Sequence, residues 1–121
     1  MTGFNKQTIE DLLVTALEGG SNYWYFLPDL DNVEKLTWKD LPLAVKISNA
    51  VQFHNAKVDV HDIEDPAKKL GGISQDNFKR AYEILNLRCV DTLDNINNEN
   101  YDANDADIWF QLVVMGEISF G

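Results

Sequence analysis

The sequence predicts an α+β fold that is mostly helical, with about four helices and two or three short strands in one domain spanning residues 1–121. Apolar residues recur every three or four positions in residues 8–18 and again from Phe78 to Ile96, as on the buried face of a helix. Residues 57–63 alternate with a period of two, which is typical of a half-buried strand. A chain of 121 residues that is 45% hydrophobic is long enough to bury one core.

The first helix is predicted at residues 8–18, and Gly19 is expected in the left-handed conformation that ends a helix. Residues 23–27, YWYFL, are rich in strand-forming side chains and precede a proline, so they predict a short strand, with a helix as the alternative. Gly19 and Gly20 would then form the corner between the two elements. Residues 28–40 are predicted to be a loop.

A second helix is predicted from Asp40, which is a good N-cap, to about Phe53, with Pro42 in its first turn. This segment is apolar at helical spacing, so one of its faces is expected to be buried. The predicted buried stripe contains Leu43, Ile47, Ala50 and Val51.

Two further helices are predicted in the second half of the chain. Ser74 is expected to cap one long helix that continues to about Ile96. Asp102 is expected to cap a final helix, which Gly116 closes before a short tail at residues 118–120.

The charge of the chain restricts its partners. Twenty acidic and ten basic residues give a net charge of −10, which opposes binding to duplex DNA. Arg88 is the last basic residue, so the remainder of the chain is purely anionic. The single cysteine, Cys89, fits a reducing compartment, and no segment resembles a signal peptide or a membrane span. These features predict a cytoplasmic protein that does not enter a membrane.

The stretch KKLGGIS is the best candidate for anion binding. Lys68 and Lys69 supply charge, Gly71 and Gly72 leave the backbone accessible, and Ser74 supplies a hydroxyl at a helix N-terminus. A phosphate group would suit this turn, although it has neither the Walker sequence nor the dinucleotide-binding pattern. The alternative is a simple turn followed by an ordinary N-cap.

Four consecutive aromatic residues begin at Tyr23. We consider Tyr23, Trp24 and Tyr25 as a surface on which a nucleobase could stack or a protein could dock. The alternative for Trp24 is core packing, which its size favours.

Catalytic and metal-binding motifs are not predicted, and neither is a cofactor. His54 and His61 lack the spacing that places two ligands on one helical face. Residues 102–107 are acidic but do not supply the ligand register of a calcium loop. Cys89 falls in the predicted buried stripe of the third helix, where a thiol is inert.

Three stretches together resemble a group of small phage and prophage proteins of unassigned function: ALEGGSNYW, LGGIS and NYDANDADIWFQLVVMGEISFG. This resemblance spans nearly the whole chain. It implies a non-enzymatic accessory role in the cytoplasm of an infected host.

Two functions follow as hypotheses. In the first, the protein sequesters a small nucleotide signal of host immunity, with the aromatic residues on the base and the lysine and glycine residues on the phosphate. In the second, its acidic surface imitates nucleic acid and occupies a basic groove on a host defence protein. A homo-oligomer is compatible with either. The predicted contact residues of the second are Asp91, Asp94, Asp102, Asp105 and Asp107.

Overall fold

The computed structural model describes residues 3–38 and 40–121, and there it confirms the α+β prediction. The chain is 58% helical, with six helices and one three-stranded antiparallel sheet in these residues, so the helices outnumber the predicted four. The helices are α1 Lys6–Thr15, α2 Asp31–Leu36, α3 Leu43–His54, α4 Gln75–Arg88, α5 Val90–Asn97 and α6 Ala103–Met115. The strands are β1 Tyr25–Phe26, β2 Val58–Asp62 and β3 Lys69–Ile73.

β2 lies at the centre of the sheet, between β1 and β3. Val58 and Val60 are buried and Asp59 between them is exposed, so the predicted alternation of the second strand is confirmed. The strand predicted at residues 23–27 is shorter, because only Tyr25 and Phe26 pair with β2.

α6 is the central helix of the fold. It packs against α1, α4, α5 and β3. Trp109 and Phe110 are fully buried on it, and most of its other residues are buried as well. A helix that is apolar around most of its circumference belongs in the interior, and the rest of the chain wraps around this one.

The first helix ends differently from the prediction. α1 ends at Thr15 and continues as one π-helical turn, Ala16–Gly20. Gly19 does not have a positive φ, so its predicted left-handed role is wrong. Gly20 has a different reason to be glycine, because a Cβ there would overlap the carbonyl oxygen of Ala103. The π-helical turn can therefore lie directly against the start of α6.

The predicted loop at residues 28–40 contains the short helix α2. Lys46 of α3 is largely buried, and its Nζ lies 3.0 Å from a carboxylate oxygen of Glu34. This ion pair joins α2 to α3, and Val33 is the buried apolar residue of α2.

α3 does not begin at Asp40, so the predicted N-cap there is wrong. The helix begins at Leu43 after Pro42, whose fixed φ prepares the first turn, and it ends where Asn55 takes a left-handed φ of 54°. Leu43 is partly exposed, which contradicts its predicted place in the stripe. The other three predicted stripe residues are buried: Ile47, Ala50 and Val51.

The long third helix is wrong as predicted, because it is broken into α4 and α5. Cys89, with φ −132° and ψ 54°, lies between them outside the helical region, and its side chain is half-buried. The predicted caps are confirmed: the Ser74 hydroxyl accepts from the Asn77 amide, Asp102 forms a capping box with Asp105, and Gly116 closes α6 with a φ of 76°.

Candidate functional site

A groove of about 400 Å³ runs along β3, and we call it the β3 groove. Lys69, Gly71, Gly72 and Ser74 line it, so four residues of the predicted anion-binding stretch lie together there. Lys68 is exposed in the preceding turn and does not line it. The other lining residues are Lys57, Val58, Asp59, Leu70, Ile73, Asn77, Arg80, Val114 and Met115.

The two glycines belong to a strand, which corrects the prediction that they form a turn. Gly71 pairs with Val60, and a Cβ on Gly71 would overlap the backbone of Val114 in α6. Gly72 pairs with Asp59. β3 can lie against α6 only because Gly71 has no side chain, and this contact forms one wall of the groove.

Three cationic side chains line the β3 groove. Lys69 forms an ion pair with Asp59 at 3.1 Å, and both side chains are more than half exposed. Arg80 is held at the carbonyl end of α6, where its Nη2 donates to the Val113 oxygen at 2.8 Å, an arrangement that the helix dipole favours. The third cation, Lys57, is exposed beside β2.

Some polar groups at the start of α4 already form hydrogen bonds within the chain. The Ser74 hydroxyl accepts from the Asn77 backbone amide at 3.2 Å, and the Asn77 side-chain amide donates to the Gly72 oxygen at 2.8 Å. The Nε of Arg80 is buried and has no hydrogen-bond partner in the part of the chain that the structure describes. Sequence reasoning missed Asn77 and Arg80, although their spacing of three places both on the face of α4 that follows the Ser74 cap.

The aromatic segment is organised around a different residue, the buried carboxylate of Asp107. Its Oδ1 accepts from the Ser21 hydroxyl at 2.7 Å and from the Trp24 indole at 2.8 Å. Its Oδ2 accepts from the Tyr23 hydroxyl at 2.6 Å and from the Gln111 amide at 3.2 Å. Four donors therefore stabilise one buried negative charge, as such a charge requires.

The C-terminal tail packs onto the same cluster. The Gln111 Oε1 accepts from the backbone amides of Ser119 and Phe120, both at 2.9 Å, and its Nε2 donates to the Phe120 oxygen at 3.2 Å. The Phe120 ring then stacks on Trp24, with centroids 5.3 Å apart and planes 9° from parallel. Trp24 is only 1% exposed, so core packing, the alternative that its size favours, is what the structure shows.

The pKa of Tyr23 is raised to about 12. Burial of the hydroxyl is the largest cause, followed by its hydrogen bond to Asp107 and by the negative charge of that carboxylate. The residue as a whole is 47% exposed, but its hydroxyl end is the part that meets the buried carboxylate. Burial also raises the pKa of Tyr25, whose hydroxyl donates to the Leu17 oxygen at 2.7 Å.

The structure does not bring the two halves of the predicted ligand site together. β2 lies between β1 and β3, so Tyr25 and Lys69 are separated by two strand spacings of about 4.8 Å each. Tyr23 and Trp24 are tied to α6 through Asp107. Of the described residues that line the β3 groove, none is aromatic.

The predicted acidic contact surface is smaller than expected. Asp107 is buried as described above, and Asp105 is buried where it accepts from Thr92 at 3.2 Å and from Asn95 at 3.1 Å. Neither carboxylate can face a partner. The three predicted acids that remain exposed are Asp91, Asp94 and Asp102.

A second groove of about 400 Å³ lies between α1 and α4. Its floor is apolar, with Ile9 and Phe78, and Lys6 at its edge lies 4.3 Å from the centre of the Phe53 ring. Its described lining has two cations, Lys6 and Lys79, and no acid, so its formal net charge is also +2. The β3 groove differs in having a third cation, the arginine Arg80, and a strand with two glycines.

The chain has no detectable similarity that would assign it to a family. No family model matches it, and neither the curated proteins nor the solved structures contain a match. In residues 3–38 and 40–121, no group of three or more His, Cys, Asp or Glu side chains could hold a metal ion. No helix within those residues is both long and apolar enough to cross a membrane.

Proposed function

We propose that this is a non-enzymatic phage-type protein that binds a small phosphorylated nucleotide in the β3 groove and so removes an immune signal of the host. The observation that carries the proposal is the convergence of Lys57, Lys69 and Arg80 on one groove in a protein whose net charge is −10. The glycine-rich backbone of β3 is half-buried beside these cations, and at Gly72 it carries no side chain that would keep a phosphate away. The phage setting rests on the sequence resemblance.

The experiment is a thermal-shift and native-mass panel of the purified protein with cyclic dinucleotides, cyclic oligonucleotides, cyclic ADP-ribose isomers and linear nucleotides that end in a phosphomonoester. We expect at least one ligand to raise the melting temperature and to be released chemically intact. The double variant Lys57→Gln/Lys69→Gln should lose this stabilisation. Lys35→Gln is the matched control, because Lys35 is an exposed lysine of α2 that does not line the groove.

Two results would contradict the proposal. If no phosphorylated nucleotide stabilises the wild type, or if the double variant binds as well as the wild type, the β3 groove is not a nucleotide site. A ligand released in altered form would instead show that the protein is an enzyme.

A second candidate function, inhibition of a host defence protein by an acidic surface, is supported by the charge distribution of the chain. No basic residue follows Arg88, and Asp91, Asp94 and Asp102 are exposed there. If this surface imitates nucleic acid, the variant Asp91→Asn/Asp94→Asn should no longer bind a host protein that the wild type retains. Glu64→Gln, an exposed acid in the turn between β2 and β3, should still bind it.

A further inference from the structure

The side chains of the β3 groove carry an unequal set of charges. Among the described residues that line it, Lys57, Lys69 and Arg80 are cationic and Asp59 is the one acid, so their formal net charge is +2. The residues that α6 contributes, Val114 and Met115, are uncharged. This charge matches a group that carries two negative charges at one point.

We infer that the β3 groove recognises a terminal phosphomonoester in its dianionic form, an inference that rests on the proposed nucleotide binding and narrows it to one chemical class. A phosphomonoester carries a charge of nearly −2 at neutral pH, with a second pKa of about 6. A cyclic phosphodiester carries a single charge and has no second ionisation. The local charge of the groove therefore favours the monoester.

The size and lining of the groove support the same class. About 400 Å³ lies near the lower end of the volumes that small-molecule pockets occupy, roughly 300–1,000 Å³, which suits one nucleotide better than a cyclic dinucleotide. The apolar lining, which includes Leu70 and Met115, is aliphatic and offers no ring on which a base could stack. Recognition therefore depends on the phosphate, and different bases should bind with similar affinity.

The ion pair between Lys69 and Asp59 determines how easily the phosphate enters. Its two side chains are 58% and 56% exposed, and ion pairs of this kind contribute little net stability. A phosphate can therefore replace Asp59 as the partner of the Lys69 ammonium group. The Asp59 carboxylate then repels the bound phosphate, so Asp59→Asn should strengthen binding several-fold.

The test compares AMP with 3′,5′-cyclic AMP, which share the base and the ribose and differ in the phosphate. Calorimetric titration at pH 7.5 should show AMP binding about tenfold more tightly, because the second charge roughly doubles the Coulomb attraction to the groove. This advantage should shrink at pH 5.5, where the phosphate is mostly a monoanion. UMP and ribose 5-phosphate should bind within about threefold of AMP, because no aromatic side chain reads the base.

His61 needs a control because it is paired with Lys69 across the sheet. Its Nδ1 lies 2.6 Å from the Pro66 oxygen. An imidazole can carry a positive charge, and such a charge beside Lys69 would strengthen anion binding and so oppose the expected effect. His61→Gln should therefore retain the preference for AMP at pH 7.5 and its loss at pH 5.5.

The outcomes separate this inference from the proposed function. Equal or tighter binding of cyclic AMP, a strong preference for one base, or an AMP affinity that does not change between the two pH values would overturn the inference and leave nucleotide binding intact. If none of these mononucleotides binds at either pH, the inference fails, and the proposed function fails with it if the ligands of the thermal-shift panel also leave the melting temperature unchanged.

Discussion

The replacement Asp107→Asn tests whether the buried carboxylate organises the aromatic segment. The substitution preserves the shape of the side chain and removes its charge. One of its two oxygens becomes an NH₂ group, which cannot accept. If the remaining oxygen stays with Ser21 and Trp24, the NH₂ group faces the Tyr23 hydroxyl and the Gln111 amide.

The magnitude follows from these contacts. The Tyr23 hydroxyl can turn and accept from the new NH₂ group, but the Gln111 amide, held by its bond to the Phe120 oxygen, would meet another donor. One buried donor left unsatisfied costs about 1–3 kcal/mol, and the other bonds lose their charge assistance. We expect Asp107→Asn to lower the free energy of unfolding by about 2–4 kcal/mol, a large share of the roughly 5–15 kcal/mol of a typical domain.

The assay is urea unfolding at pH 7, monitored by circular dichroism and by tryptophan fluorescence. Asp94→Asn is the matched control, because Asp94 is exposed on α5 and should change the stability by no more than about 0.5 kcal/mol. If Asp107→Asn costs less than about 1 kcal/mol, the four hydrogen bonds do not hold the cluster together and our account of the aromatic segment is wrong.

Three further predictions concern the packing and the titration of single residues. Gly71→Ala should destabilise the fold by about 1–3 kcal/mol, because its Cβ would overlap the α6 backbone. Gly19→Ala has nothing within 4 Å of its Cβ and should stabilise the fold by about 0.4–1 kcal/mol. If both variants melt at the same temperature as the wild type, both expectations are wrong. Tyr23 should ionise near pH 12 when its absorbance is followed. Because its pKa in the folded state lies above the unfolded value of 10.0, its contribution to stability should be complete below pH 10 and be lost between pH 10 and 12. If the absorbance titration of Tyr23→Phe is the same as that of the wild type, this prediction is wrong. Phe120→Ala should expose one face of Trp24 and shift the fluorescence emission to longer wavelength, and an unshifted spectrum would show that the tail does not cover the indole.

The parts of the fold that the sequence predicted are those that local chemistry decides. Ser74 and Asp102 cap their helices with their own side chains, and Gly116 takes a conformation that glycine adopts without strain. The alternation of β2 and the buried stripes of α3 and α4 are likewise set by neighbours within a few residues. Each of these signals can be read from a short stretch of the sequence.

Several of the errors have the opposite cause, since they depend on contacts between distant segments. Gly20 and Gly71 are glycines because α6 lies against their backbone, which no local pattern reveals. Asp107 was assigned to an exposed acidic surface because its partners, Ser21 and Trp24, lie more than eighty residues earlier in the chain. A buried carboxylate cannot be told from an exposed one until those donors are placed beside it.

The electrostatic objection to an anion site weakens once the charges are placed along α6. Asp102 caps the first turn of α6. The helix α5, which carries Asp91 and Asp94, lies beside that turn, because Asp105 accepts from Thr92 and Asn95. Met115 lines the β3 groove at the other end of the helix, about 20 Å away at 1.5 Å per residue. Charges on the surface are screened over about 8 Å at physiological salt.

The exposed acids at the start of α6, Asp91, Asp94 and Asp102, therefore contribute little to the potential at the β3 groove. The same separation makes the two proposed functions independent in experiment. Asp91→Asn/Asp94→Asn alters the acidic end without touching the groove, and Lys57→Gln/Lys69→Gln alters the groove without touching the acidic end. Each pair of substitutions therefore serves as the control for the other.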